Sequence, residues 1–277
     1  MKQDFSMFIP KVHFEQIPIK NLVSNQDYQR NLSAWHIKRT AENFDLYQIN
    51  PVKVSRRNGI NYVFNGQHTI EIVALVSGSR DTPVWCMVYD ELDYKEEADI
   101  FANQQKFVRA LSAYEIFKAN VEAGNDDELL IKSMVESYGL QISSKKTAGT
   151  VTAVGTLVNT FKEHGYQILD RTLRLCIGAW EGDPNFLTSN VLKGITQLVL
   201  AFGDDLRDDL FTEKVGTLSF RELTRTAKER KGKFSYAETM LMTYNSKMKS
   251  PLNQSALYKT KKNRKKEQEV PAEIVEN

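Results

Sequence analysis

Cysteine is nearly absent from this 277-residue chain: Cys86 and Cys176 are the only two, 90 positions apart. That excludes a disulfide framework and a cysteine-based metal site, whose ligands recur at short spacings. Each lies in an apolar segment, so both are read as buried, reduced thiols. Histidine is scarce too, with four in all, and His13, His36 and His164 have no partner at ligand spacing and are read as surface residues. No run approaches the roughly 20 apolar residues that span a bilayer. Met1 to Pro10 has neither a basic start nor an apolar run ending at small residues, so no export signal is read and the expectation is a cytoplasmic chain without a membrane partner.

What is present is the balance of a globular protein, 41% hydrophobic and 26% charged, in a length comfortable for two cores. The net charge of +2 hides an asymmetry. Beyond Tyr244 acids vanish while Lys247, Lys249, Lys259, Lys261, Lys262, Arg264, Lys265 and Lys266 accumulate, and the last eleven residues then carry four glutamates. Removing these tails, +8 and −4, from +2 leaves the body at −2. General attraction to nucleic acid is therefore assigned to the tail, through Lys259, Lys261, Lys262, Arg264, Lys265 and Lys266 as non-specific phosphate contacts.

Hydrophobic periodicity divides the chain. Ile17 to Leu22 alternates as a short strand, and Ser33 can cap a helix running from Ala34 towards Phe44. Pro51–Ser55 and Ile60–Asn65 alternate on either side of Asn58-Gly59, a strong hairpin signal. Gly66 ends the second strand, a helical pattern follows over Thr69–Val76, and Gly78 can close it. Pro83–Tyr89 reads as a buried strand, a helix starts near Tyr94, and Ser112 with Glu115 forms a capping box. Beyond Asp126 the pattern is helical, over Glu128–Tyr138, Gly149–Glu163, Asp170–Trp180, Ser189–Ala201 and Phe220–Lys228. The reading is thus α+β: a mixed α/β domain over 1–124, an all-helical domain over 125–244, and a charged, disordered tail over 245–277.

The strand-to-helix step at Gly66-Gln67-His68 carries the chemical interest. A glycine there lets backbone amides turn outward, and a helix N-terminus offers unpaired N–H groups suited to phosphate. Gln67, His68 and Thr69 are short enough to add hydrogen bonds. From the residues alone a second reading stands beside it, in which Gly66 is only a tight turn and His68 a solvated residue of the first helical turn.

Three blocks, in order, resemble the ParB/sulfiredoxin superfamily, and more closely its phage and plasmid branch with an Asp-Gly-Gln-His-Arg motif. They are Tyr28-Gln29-Arg30, the turn Tyr62 to Thr69, and Glu96 to Lys106 followed by the Ser112 helix; together they span roughly Ile17 to Gly124. The resemblance implies a pocket for a nucleoside triphosphate, CTP or ATP with Mg²⁺. Gly66 matches the family's glycine, Gln67, His68 and Thr69 replace its glutamate and two arginines, Asn103 and Lys106 match its second block, and Gln29 and Arg30 its early element. Arg30 and Lys106 would be the cationic phosphate contacts, Arg30 with the better fork. The sequence departs from the family at Asn65, Thr69 and Ala102, where an acid, a base and a glutamate are usual. Sulfiredoxin's cysteine would fall at Gln67, so sulfinic acid reduction is excluded.

The resemblance implies a DNA-associated regulator or partition-type protein of a mobile element, with DNA as partner and a homodimer as its assembly. The alternatives are a metal-dependent nuclease or nucleotide hydrolase using the same Gly66 pocket with nearby carboxylates of the acidic stretch Asp90, Glu91, Asp93, Glu96, Glu97 and Asp99, or a degenerate interaction scaffold. The acids have a plainer reading as the solvated first turn of a helix. No catalytic residue and no metal-ligand set is assigned. Trp35 and Trp180 are read as core or interface residues, and Ile131–Ser144 as part of a helix-turn-helix with Gly139 in its turn.

Overall fold

A computed structural model describes residues 10–24, 27–90, 92–104, 106 and 108–259. The chain divides into two compact units, Met1–Ala110 and Leu111–Asn277, a mixed α/β region followed by a largely helical one.

In the first unit β1 (Val12–Pro18), β2 (Leu22–Ser24), β3 (Val52–Arg57), β4 (Ile60–Asn65) and β5 (Pro83–Asp90) form one sheet in the order β1-β5-β3-β4-β2. The β1/β5 and β3/β4 pairs are antiparallel, and the β3/β5 and β2/β4 pairs are parallel. The β3–β4 hairpin closes through Asn58 and Gly59 with φ of 52° and 75°, the doubly left-handed turn that matches strand twist. Val52, Val54, Val63, Val84, Cys86 and Val88 alternate onto one face, where Ile70 and Val73 of α2 (Gln67–Ser77) join them in a single core. Burial pushes the Cys86 thiol up to about 11. Phe64, of opposite parity, is fully buried and meets Tyr89 edge-on at 5.3 Å between ring centroids. The other helices are α1 (Ala34–Glu42) and α3 (Tyr94–Asn103).

Two expectations change here. The opening strand lies at Val12–Pro18, not at Ile17–Leu22, which instead holds a 3₁₀ turn, Ile19–Asn21. β1 is an edge strand that buries only Ile17, so its apolar alternation is weak. Trp35 is not in the core: it is 68% exposed on a helix with no buried residue, beside Arg39, whose guanidinium carbon lies 5.1 Å from the ring centre.

The second unit contains α4 (Ala113–Glu122), α5 (Asp126–Ser137), α6 (Val154–His164), α7 (Tyr166–Trp180), α8 (Ser189–Phe202), α9 (Asp208–Val215), α10 (Phe220–Arg230) and α11 (Ser235–Asn245). Phe117 of α4 belongs to this core, so the helix capped by Ser112 and Glu115 counts with the second unit, although the sequence reading grouped it with the first. α8 buries Val191, Leu192, Ile195, Leu198, Val199 and Phe202, a broad stripe that makes it the central helix. Trp180 stacks on Phe186 at 4.2 Å and donates to the Leu218 carbonyl; this tryptophan is a core residue. Cys176 is buried, its thiol pushed up to about 12.

The unit is not all-helical. β6 (Gln141–Ile142) and β7 (Thr150–Val151) pair in parallel, so the helix expected from Gly149 starts at Val154, and a strand-tied loop of residues 143–149 replaces a short helix-turn-helix turn. The chain also stays packed past Asn245. Leu257 is 1% exposed within the 3₁₀ turn Gln254–Tyr258, and its carbonyl accepts from Gln197 at 2.8 Å. Of the tail cations, Lys259 is exposed, while Lys261, Lys262, Arg264, Lys265 and Lys266 lie outside the described residues.

Candidate functional site

β4 ends at Gly66, which begins α2 with φ 105° and ψ 13°. A Cβ at this position would lie 3.2 Å from the Cα and both Cγ atoms of Val52. Conformation and space therefore both select glycine here. In the first unit α1 is capped by Ser33 and α3 by an Asp93/Glu96 capping box, but no side chain caps α2. The amides of Gln67, His68 and Thr69 precede the first intrahelical bond, from Ile70 to the Gly66 carbonyl, and carry the partial positive charge of a helix start.

These amides border a cleft of about 410 Å³ lined by Gln29, Arg30, Asn31, Ser33, His36, Phe64, Asn65, Gly66, Gln67, His68, Thr69 and Phe101. The Tyr28-Gln29-Arg30 loop is fixed at three points. Gln29 donates to the Val63 carbonyl, Gln67 donates to the Arg30 carbonyl, and Tyr28 donates to Glu97 of α3 at 3.2 Å. Gln67 is 7% exposed, yet its Oε1, like that of Gln29, is buried without a donor. Each such oxygen loses hydration worth about 1–3 kcal/mol, so a donor reaching either from the cleft would recover free energy.

His68 Nε2 accepts from the Ser33 amide at 3.2 Å, which places the neutral ring's proton on Nδ1. Burial first, then His36 and Arg30, hold its pKa below the ordinary histidine value. The His36 ring meets it edge-on at 5.4 Å. Thus His68 is a neutral polar lining residue, and among the described residues Arg30 is the cation of the cleft.

Of the residues singled out in the sequence, Gln29, Arg30, Gly66, Gln67, His68 and Thr69 come together in the lining; Asn103 and Lys106 do not. Asn103 turns back to the Asp99 carbonyl and carboxylate at 3.0 and 2.9 Å, and Lys106 is exposed. Their neighbour Gln104 reaches the turn, accepting from Asn65 at 2.8 Å and Lys53 at 3.4 Å. Sequence reasoning missed Gln104, Phe101, Ser33 and His36. The first two lie inside the quoted block Glu96 to Lys106 but carried no assigned role; the last two are joined to His68 only by folding.

The acidic stretch is occupied in another way. Asp93 and Glu96 close the cap of α3, and Asp90 pairs with His13 at 3.1 Å. Glu97, read as solvated, is fully buried and pairs with Arg57 Nε at 2.7 Å, while the Arg57 guanidinium lies 4.3 Å from the centre of the Tyr62 ring. Among the described residues no group of three or more potential ligands is arranged for a metal. Tyr28, lodged against Tyr94 and Phe101 at 5.4 and 5.6 Å, has its phenol pushed up by burial and by Glu97. Glu97 is thus the anchor that ties the Arg30 loop to the sheet and to α3.

An α/β unit whose uncapped helix start opens onto a polar cleft is an arrangement suited to an anionic ligand. The chain belongs to a family of unknown function, DUF6551, whose model matches residues 23–254. Among solved structures, the C-terminally truncated chromosome-partitioning protein ParB from Caulobacter crescentus, complexed with CTP-gamma-S, is similar at a TM-score of 0.37 and 13% identity, over 68% of this chain and 99% of that one. No curated protein matches. Among the described residues, no helix is long and apolar enough to cross a membrane.

Proposed function

We propose that the cleft at the start of α2 binds a nucleoside triphosphate, and that the chain is a DNA-associated regulator or partition-type protein. The observation that carries this reading is the uncapped α2 N-terminus beside Arg30, with the buried acceptors of Gln29 and Gln67 close by. Phosphate matches the helix amides and the guanidinium. Hydroxyl or amino donors of a nucleoside match the two amide oxygens. The three-block resemblance to ParB-like proteins points to the same class of ligand. Among the described residues no carboxylate lines the cleft, so Mg²⁺ would arrive held by the phosphates rather than by these side chains.

A metal-dependent nuclease or hydrolase has less support, because Asp90, Asp93, Glu96, Glu97 and Asp99 are each engaged in a pair, cap or hydrogen bond. Calorimetric titration of the full chain with CTP, ATP and GTP, each with Mg²⁺, tests the proposal. One of them binds, and Arg30→Ala weakens it more than Lys106→Ala does. Affinities all weaker than about 1 mM, roughly −4 kcal/mol, would sink it.

A further inference from the structure

We infer that α10 is a contact surface for the phosphate backbone of duplex DNA, within the folded body rather than in the tail. The inference rests on the DNA-associated part of the reading above and is independent of the nucleotide cleft. α10 docks through Leu223 and Ala227, at 0% and 1% exposure. Arg221, Arg225 and Lys228, spaced to share one helical face, are exposed, and Lys231 and Lys233 continue the basic run beyond the helix end.

Among the described residues, none of these five makes an ion pair, in contrast to the unit's other arginines. Arg171 and Arg174 pair with Asp208, Arg207 with Asp209, and Arg230 with Glu238. Lys233 rests near the Phe234 ring, at 5.6 Å. The helix carries two acids, Glu222, which closes the Ser219 capping box and also feels the charge of Arg225, and Glu229, so the five cations outnumber them and the face keeps a net positive charge.

Helix stability does not account for the whole set. Lys228 and Lys231 sit where the helix dipole favours cations, but Arg221 stands in the first turn, where the dipole disfavours one. From Arg221 to Lys228 the helix rises about 10 Å, so the three side chains form a short basic row on one face. The overall body charge of −2 conceals this local excess, so composition assigned the nucleic-acid attraction to the tail.

The test is fluorescence anisotropy of the full chain on a short DNA duplex of arbitrary sequence across a salt series. Two full-length variants are compared with the native chain: R221Q/R225Q/K228Q, and one with Lys261, Lys262, Arg264, Lys265 and Lys266 changed to glutamine. All three substituted α10 positions are exposed, and unchanged melting of that variant confirms its fold. The α10 variant is expected to show a log K against log salt slope shallower by about 2.7, or about 0.9 per contact. Equivalently, between about 50 and 200 mM salt the native chain loses about 40-fold more affinity than the variant does. An unchanged slope in the α10 variant, with the whole salt dependence lost in the tail variant, overturns the inference. So does preference for single-stranded RNA over the duplex. Absence of duplex binding by the native chain overturns this inference together with the DNA-associated reading, and leaves the nucleotide titration to be judged by itself.

Discussion

Replacing Glu97 by alanine removes a fully buried carboxylate that pairs with Arg57 at 2.7 Å and accepts from Tyr28 at 3.2 Å. Breaking a buried ion pair by deleting one partner costs about 3–5 kcal/mol, because the other charge is left uncompensated. The Arg57 side chain is 28% exposed, so water can reach part of the guanidinium, and the expected loss sits at the lower end, about 3 kcal/mol. Two-state unfolding is a poor assumption for a two-unit chain, so the transition should be followed in urea through Trp35 and Trp85, which lie in the first unit. The double variant Arg57→Met/Glu97→Leu should be more stable than Glu97→Leu alone, since it leaves no stranded charge. The loosened Tyr28 loop should also weaken any ligand held by Arg30. A Glu97→Ala protein within about 0.5 kcal/mol of the native chain, the range of neutral surface changes, would refute the anchoring role.

Gly66→Ala forces a Cβ into φ 105° and to 3.2 Å from Val52; strain and overpacking together should destabilise the first unit by about 2–4 kcal/mol, and denaturant midpoints check it. The folded-state pKa of His68 is depressed, so the unfolded chain binds a proton that the folded chain refuses. Stability should therefore fall as pH drops through about 6.5 towards the folded value, and His68→Gln should flatten that dependence; an identical pH profile in the variant would assign it elsewhere. Leu257→Ala, within the stretch that sequence alone assigns to a tail, should cost about 2–5 kcal/mol by thermal or urea unfolding of the second unit, whereas a residue in a free tail would cost nothing.

Local signals were legible wherever one short segment carried its own instruction. Asn58-Gly59 sets the hairpin, Gly66 and Gly78 bracket α2, and the Ser112/Glu115 pair starts α4, all close to where the pattern places them. β1 was displaced because an edge strand with one buried residue shows little alternation. α9 is only eight residues long, and α11 buries Ala237, Glu238, Thr239, Met240, Leu241 and Tyr244 around much of its circumference, so neither displays a clean amphipathic stripe. The β6–β7 pair has two residues per strand, too few for any period. At the site, the motif residues of the loop and turn were readable, but their partners were not. His36 and His68 are 32 positions apart and Arg57 and Glu97 are 40 apart, and only the packing of α1 on α2 and of α3 on the sheet brings them together. Glu97 was misread for a physical reason: an acid in a first helical turn usually faces water, and nothing local reveals that Arg57 waits across the strand.

Nucleotide binding in the cleft at the start of α2, as proposed, can be measured directly because histidine is scarce. With four histidines in the chain, the imidazole proton resonances can be followed one by one in an NMR titration with CTP and with ATP, each with Mg²⁺. Two of them, His36 and His68, line the cleft, while His13 pairs with Asp90 on the sheet and His164 lies in the second unit. His68 and His36 are expected to shift on binding, and the depressed His68 pKa to move upward as phosphate offsets the field of Arg30, with His13 and His164 unmoved. Resonances of His68 and His36 that stay fixed at ligand concentrations above about 1 mM, or a shift confined to His164, would contradict it.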